Sequence, residues 1–122
     1  MQDDVGIVRN AQELERAIGA VAKLRERAGR TAVPGNRHYN AGWHTAQDLR
    51  NLLTTSEIIA RAALERKESR GAHTREDFPN KEEAFGKVNI IIRQGADGEP
   101  AITQEPIHPL TPELKQIIEE MG

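Results

Sequence analysis

The chain has 122 residues, 30% of them charged, a formal net charge of −2 and no cysteine. This length suits one ordinary domain, the near-neutral mixed charge argues against a nucleic-acid-binding face, and the missing thiols exclude disulfides, thiolate nucleophiles and zinc–sulfur sites and suit a reducing compartment. No run approaches the roughly eighteen apolar residues of a membrane span, and the acidic start MQDDVGIVRN lacks a signal peptide's basic-then-apolar order.

Met1 to Arg9 reads as the tail of a helix whose beginning lies outside the chain. From Asn10 to Arg30, Leu14, Ala17, Ile18, Val21, Leu24 and Ala28 recur at three- and four-residue steps, the spacing of an amphipathic helix. Asn10 followed by Glu13 resembles a capping box, and Gly29 is a plausible stop. The turn chemistry of Pro34-Gly35 and Asn40-Ala-Gly42 makes Thr31 to Trp43 a connecting loop. A second helix follows from about Thr45 to Glu68, with Leu49, Leu52, Leu53, Ile59, Ala60, Ala63 and Leu64 on its apolar stripe and Arg50, Glu57, Arg61 and Glu65 off it. The two helices would lie antiparallel, and the Met1–Arg9 stub is the candidate to cover the rest of their groove.

Beyond Pro79 the character changes. KEEAFGK suits one helical turn; VNIIIRQ and AITQEPI, separated by Asp97-Gly98, suit a β-hairpin over 88–107. Thr111-Pro112 opens a short helix to Met121, with Leu114, Ile117, Ile118 and Met121 as its apolar side. The expectation is a mainly α fold: an antiparallel three-helix bundle of spectrin-repeat type over residues 1–80, with a C-terminal extension over 81–122 packed on it.

Reactive constellations are sparse. His38, His44, His73 and His108 are irregularly spaced and form no zinc motif. Ser69 and His73 could pair as nucleophile and base, but Ser69 at a helix end more often satisfies backbone. The adjacent pairs Glu76-Asp77 and Glu82-Glu83 would point in different directions and suit a solvated face, and no phosphate-cradling glycine motif is present. That leaves RKESRGAHTREDFP, Arg66 to Pro79. Lys67 and Arg70 favour the negative end of a helix and Gly71 its left-handed stop. The density of charge around His73, Arg75, Glu76 and Asp77 suits a polar interface.

This segment resembles one in the C-terminal helical domain of the flavoprotein subunit of succinate dehydrogenase and fumarate reductase. MQDDVGIVRNAQELERAIGAVAKL is similar to that domain's opening and DLRNLLTTSEIIARAALERKESRGAH to its second long helix. The resemblance covers Met1 to about Asn80 and is weaker beyond Lys81. L-Aspartate oxidase and the α subunit of adenylylsulfate reductase are relatives with a similar terminal domain, but GAHTREDFP is nearer to the succinate and fumarate enzymes. The family implies a three-helix bundle and, in the full-length flavoprotein, FAD and a capping domain. It also implies a quinone-linked membrane anchor and an iron–sulfur subunit, assembled at the inner face of the cytoplasmic membrane. The family's flavin- and dicarboxylate-handling residues lie in other domains, so the resemblance carries over no catalytic, cofactor-binding or metal residue, and the chain alone should be catalytically silent. It implies that Ser69, Arg70, Gly71, His73, Arg75 and Asp77 pack this domain onto the flavin domain. A competing expectation is a free-standing helical adaptor using the Arg70–Asp77 surface for a different protein.

Overall fold

The computed structural model describes residues 1–121; Gly122, the last residue of the expected extension, lies outside the described residues. Helix α1 spans Ala11–Gly29 and begins with the capping box: Asn10 Oδ1 accepts from Glu13 N at 3.0 Å, and a Glu13 carboxylate oxygen accepts from Asn10 N at 3.2 Å. Helix α2 spans Ala41–Glu65, four residues ahead of the expected start. Asn40, read as part of a turn, caps it by accepting from Trp43 N, while its amide donates to the carbonyls of Pro34 and Asn36 and ties the loop to the helix.

The core lies between these helices: Leu14, Ala17 and Val21 of α1 against Leu53, Ala60 and Ala63 of α2. They run antiparallel, since Leu24 and Ala28 near the end of α1 share a cavity with Leu49 and Leu53 near the start of α2. Glu57, which the stripe places off the apolar face, is only 5% exposed. It bridges the helices, pairing with Arg25 at 2.6 Å and with Arg61, one turn on, at 2.8 Å. Burial opposes its ionisation, but the Arg61 hydrogen bond and the Arg25 charge hold the carboxyl below its ordinary range.

The Met1–Arg9 stub is not a helix. Turns lead into a two-residue strand, β1 (Val8–Arg9), which pairs in parallel with β2 (Thr74–Arg75). Thr74 N donates to Ile7 O and Glu76 N to Arg9 O, so these backbone groups are satisfied across 60-odd residues of sequence rather than within a helix. The β-branched Val5, Ile7 and Val8 around Gly6 favour that extended course.

After a single 3₁₀ turn at Phe85–Lys87, β3 (Val88–Gln94) and β4 (Pro100–Pro106) form the expected hairpin, with Ile91 opposite Thr103. β3 leans on α2, and the Gln104 amide donates to Glu65 at 2.8 Å. Helix α3 (Pro112–Met121) starts at Pro112 with Thr111 before it as the cap, as read, but none of its residues is buried; Leu114, Ile117 and Ile118 are each about half exposed. The fold is therefore mainly α, three helices and a small antiparallel hairpin. In the described residues the long helices pack as a pair.

Candidate interdomain interface

α2 ends at Glu65, earlier than the charge pattern suggests, because the Arg66 backbone turns extended at φ −78°, ψ 98°. Gly71 is not its stop. Its φ of +61° serves a tight turn in which Arg70 and His73 exchange both backbone hydrogen bonds, at 2.8 and 3.1 Å.

Arg75, 1% exposed, performs the capping that Lys67 and Arg70 were expected to perform. Its Nη1 donates to the carbonyls of Ala63 and Leu64, at 2.9 and 3.1 Å, placing a guanidinium against the negative end of α2. Its Nε and Nη2 each donate to an Asp77 oxygen at 2.7 Å, and its guanidinium lies 5.0 Å over the Phe78 ring. Asp77 also accepts from Ala11 N, the first amide of α1, at 3.0 Å. One ion pair thus ties the end of α2 to the start of α1. The Arg75 hydrogen bonds hold the Asp77 carboxyl at about 2 despite partial burial. Glu76 points elsewhere and accepts from Asn10 Nδ2 at 3.1 Å. The adjacent acids do diverge, and Asp77, though it keeps an exposed side, is also a fastener.

A second knot forms around Glu68, which is fully buried. Its carboxylate accepts from Arg66 at 2.5 Å, Arg70 at 2.9 Å and the Glu82 amide at 2.9 Å. The Arg70 hydrogen bond leads the effects that hold this carboxyl at about 2. Arg70 in turn donates to Glu82 O and lies so near Gly86 that a Cβ there would come within 2.9 Å of its guanidinium. Arg66 reaches the carbonyls of Phe85 and Val88, pinning the hairpin's approach to the end of α2.

Ser69 and His73 do not form a catalytic pair. Ser69 Oγ accepts from Arg75 N and donates to Phe78 O, each at 2.8 Å. His73 Nε2 lies 3.0 Å from Arg66 O, an acceptor only, so that nitrogen carries the proton. Burial first, then the charges of Arg9, Arg75 and Arg66, outweigh this hydrogen bond and lower the pKa of His73, favouring the neutral ring.

The six candidate residues therefore converge on one segment whose bonds are largely internal. Ser69, Arg70, Arg75 and Asp77 are bonded within the chain, while Arg70, Gly71, His73 and Asp77 keep part of their surface open. The reading from sequence missed Glu68, although its flanking arginines at two residues either side mark an extended course, where such neighbours share a side. It also missed Asn10 as a partner of Glu76. Among the described residues no group of three or more histidines and carboxylates could hold a metal ion.

A family model described as the fumarate reductase flavoprotein C-terminal region matches residues 1–117. The A chain of the CoM/CoB fumarate reductase of Methanothermobacter marburgensis is 42% identical over 94 residues, covering 77% of this chain and 17% of that protein. Among solved structures, a chain of the Mycobacterium smegmatis Sdh1 complex is similar with a TM-score of 0.81 and 38% identity, covering 93% of this chain and 20% of that one. A chain of E. coli quinol fumarate reductase is similar with a TM-score of 0.77 and 28% identity, covering 88% of this chain and 19% of that one. This chain thus spans a fifth or less of the length of these three relatives.

Proposed function

Because this chain belongs to the fumarate reductase flavoprotein C-terminal family, we propose that it works as the C-terminal helical domain of a flavoprotein subunit that interconverts succinate and fumarate. The family match over residues 1–117 carries this reading. The fold agrees with it: what the residues build is two knots of ion pairs that hold helix ends and hairpin together, a bracing element.

The described residues do not fit FAD. Both sheets are two-stranded, and no glycine-rich turn leads from a strand into a helix as a dinucleotide site requires. FAD and the dicarboxylate belong to the flavin and capping domains of the parent subunit. This chain contributes rigidity. It presents Arg70, the Gly71 turn and His73 to the flavin domain, while Ser69, Arg75 and Asp77 hold that surface in shape from behind.

In the assembled parent, residues 1–80 form the helical unit and 81–122 an extension resting on it, a division supported by the Arg66 bonds to Phe85 and Val88. Leu24, Leu52 and Ile59 remain roughly half exposed on the helix pair. This exposure supports completion of the antiparallel, spectrin-repeat-like bundle by a third helix from outside residues 1–121. The parent passes electrons through an iron–sulfur subunit to a quinone-linked anchor at the inner face of the membrane. None of the described helices is long and apolar enough to cross a membrane.

An immunoblot of native extract with antibody raised against this chain tests the reading. The expected result is one band several times larger than 13.6 kDa that carries flavin fluorescence. A band at 13.6 kDa would overturn it.

A further inference from the structure

A cleft of about 570 Å³ opens between the second half of α2, the end of β1 and β3, lined by Arg9, Ile59, Arg66, His73, Ile90 and Ile91 among others. Its walls are aliphatic and its charged groups are all basic. Most of that charge is already matched. Arg66 is ion-paired with Glu68, which it shares with Arg70, and Arg75 behind the cleft with Asp77; His73, its neutral ring favoured, donates its Nε2–H to Arg66 O.

Arg9 is the exception. Among the described residues its guanidinium meets no carboxylate within salt-bridge distance, and its Nε is buried without a hydrogen-bond partner. The cause is local: pairing β1 with β2 sets Arg9 beside Arg75, whose partner Asp77 is engaged by Arg75 and the Ala11 amide, so the strand that orders Arg9 brings it no acid of its own. A buried donor left unmade costs more than a made one gains, and the mismatch is a positive one in an aliphatic recess.

We propose that Arg9 is the seat for an aspartate or glutamate side chain carried, with aliphatic neighbours, on a segment outside residues 1–121, which docks in this cleft. The inference rests on the reading of the chain as one domain of a larger flavoprotein, whose remaining length supplies the segment. The carboxylate completes the Arg9 hydrogen bonds and balances its charge, while the flanking aliphatic groups cover Ile59, Ile90 and Ile91.

The test compares Arg9→Gln and Arg9→Lys in two settings, this chain alone and the full-length flavoprotein. In the chain alone, Arg9→Gln should leave the melting temperature unchanged or raise it, because an unmatched charge is removed. In the full-length flavoprotein the same change should speed trypsin cleavage between this domain and the rest at least tenfold, with Arg9→Lys falling between it and the parent. A fall of several degrees for Arg9→Gln in the chain alone would overturn the proposal by showing that Arg9 is satisfied internally. Unchanged protease resistance in the full-length protein would overturn it too, as would a dimer of the chain that Arg9→Gln dissolves, since a second copy would then be the occupant. The immunoblot above reads the parent reading separately, so the two can fail independently.

Discussion

Arg75 and Asp77, two residues apart, form a bidentate ion pair with both N···O distances at 2.7 Å, and each also holds a helix end: Arg75 the last carbonyls of α2, Asp77 the first amide of α1. Opposite charges are thus set against opposite helix dipoles and joined to each other. The pair converts a loop after α2 into a strap across both helices.

Acid should loosen this strap. Asp77 and Glu68 both titrate at about 2 in the folded chain, against ordinary values of 3.8 and 4.5. A carboxyl whose pKa is depressed by folding contributes stability that is full above its unfolded value and is lost as pH falls through the folded one. Melting temperature should therefore hold down to about pH 5 and decline steadily between about pH 4.5 and 2. A flat profile across that window would contradict the assignment.

Glu68→Gln should cost roughly 3 kcal/mol at neutral pH, since it leaves Arg66 and Arg70 facing a neutral group in a buried site. It should also flatten the acid decline, because one of the two titrating groups is gone. Urea unfolding at pH 7 and pH 3.5 reads both effects, and a variant as acid-sensitive as the parent would show that Glu68 is not the group responsible.

Asn10→Ala removes the cap of α1 and the Glu76 contact together. A loss of about 1 kcal/mol is expected from the cap, and Asn10→Ser, which keeps a capping oxygen without setting a second carboxylate against Glu76, should recover most of it. Chemical denaturation of the two variants side by side makes the comparison; equal losses would place the effect elsewhere than the cap.

Gly71→Ala isolates a backbone effect. A Cβ there would meet no heavy atom within 4 Å, yet the φ of +61° is one that side-chain-bearing residues rarely adopt. About 1 kcal/mol of destabilisation is expected, with Gly71→Asn milder, by thermal melting. A neutral alanine would mean the turn relaxes to another conformation.

The elements written in local pattern were legible. α1 and its capping box, the hairpin and the start of α3 follow from spacing, turn residues and caps, all short-range signals. What could not be read was non-local. Val8 and Arg9 become a strand only because Thr74 and Arg75 return beside them, and nothing in MQDDVGIVRN marks a partner so distant. Glu57 and Arg75 are buried because they find Arg25 and the last carbonyls of α2 across the fold, and Glu68 because an extended course turns its neighbours Arg66 and Arg70 onto it, none of which a linear reading shows. The density of charge around Arg75 and Asp77 was visible, but the bonds that turn them onto the chain's own helix ends were not.

The direct test of the central account is urea unfolding of Arg75→Met, which nearly keeps the side chain's length and removes its charge and donors. If Arg75 fastens the ends of α1 and α2, the variant should lose about 3–5 kcal/mol, or fail to fold cooperatively, because Asp77 and two helix-end carbonyls lose their donor. A loss below about 0.5 kcal/mol, the range of an ordinary surface substitution, would contradict the account and leave the segment with no structural role.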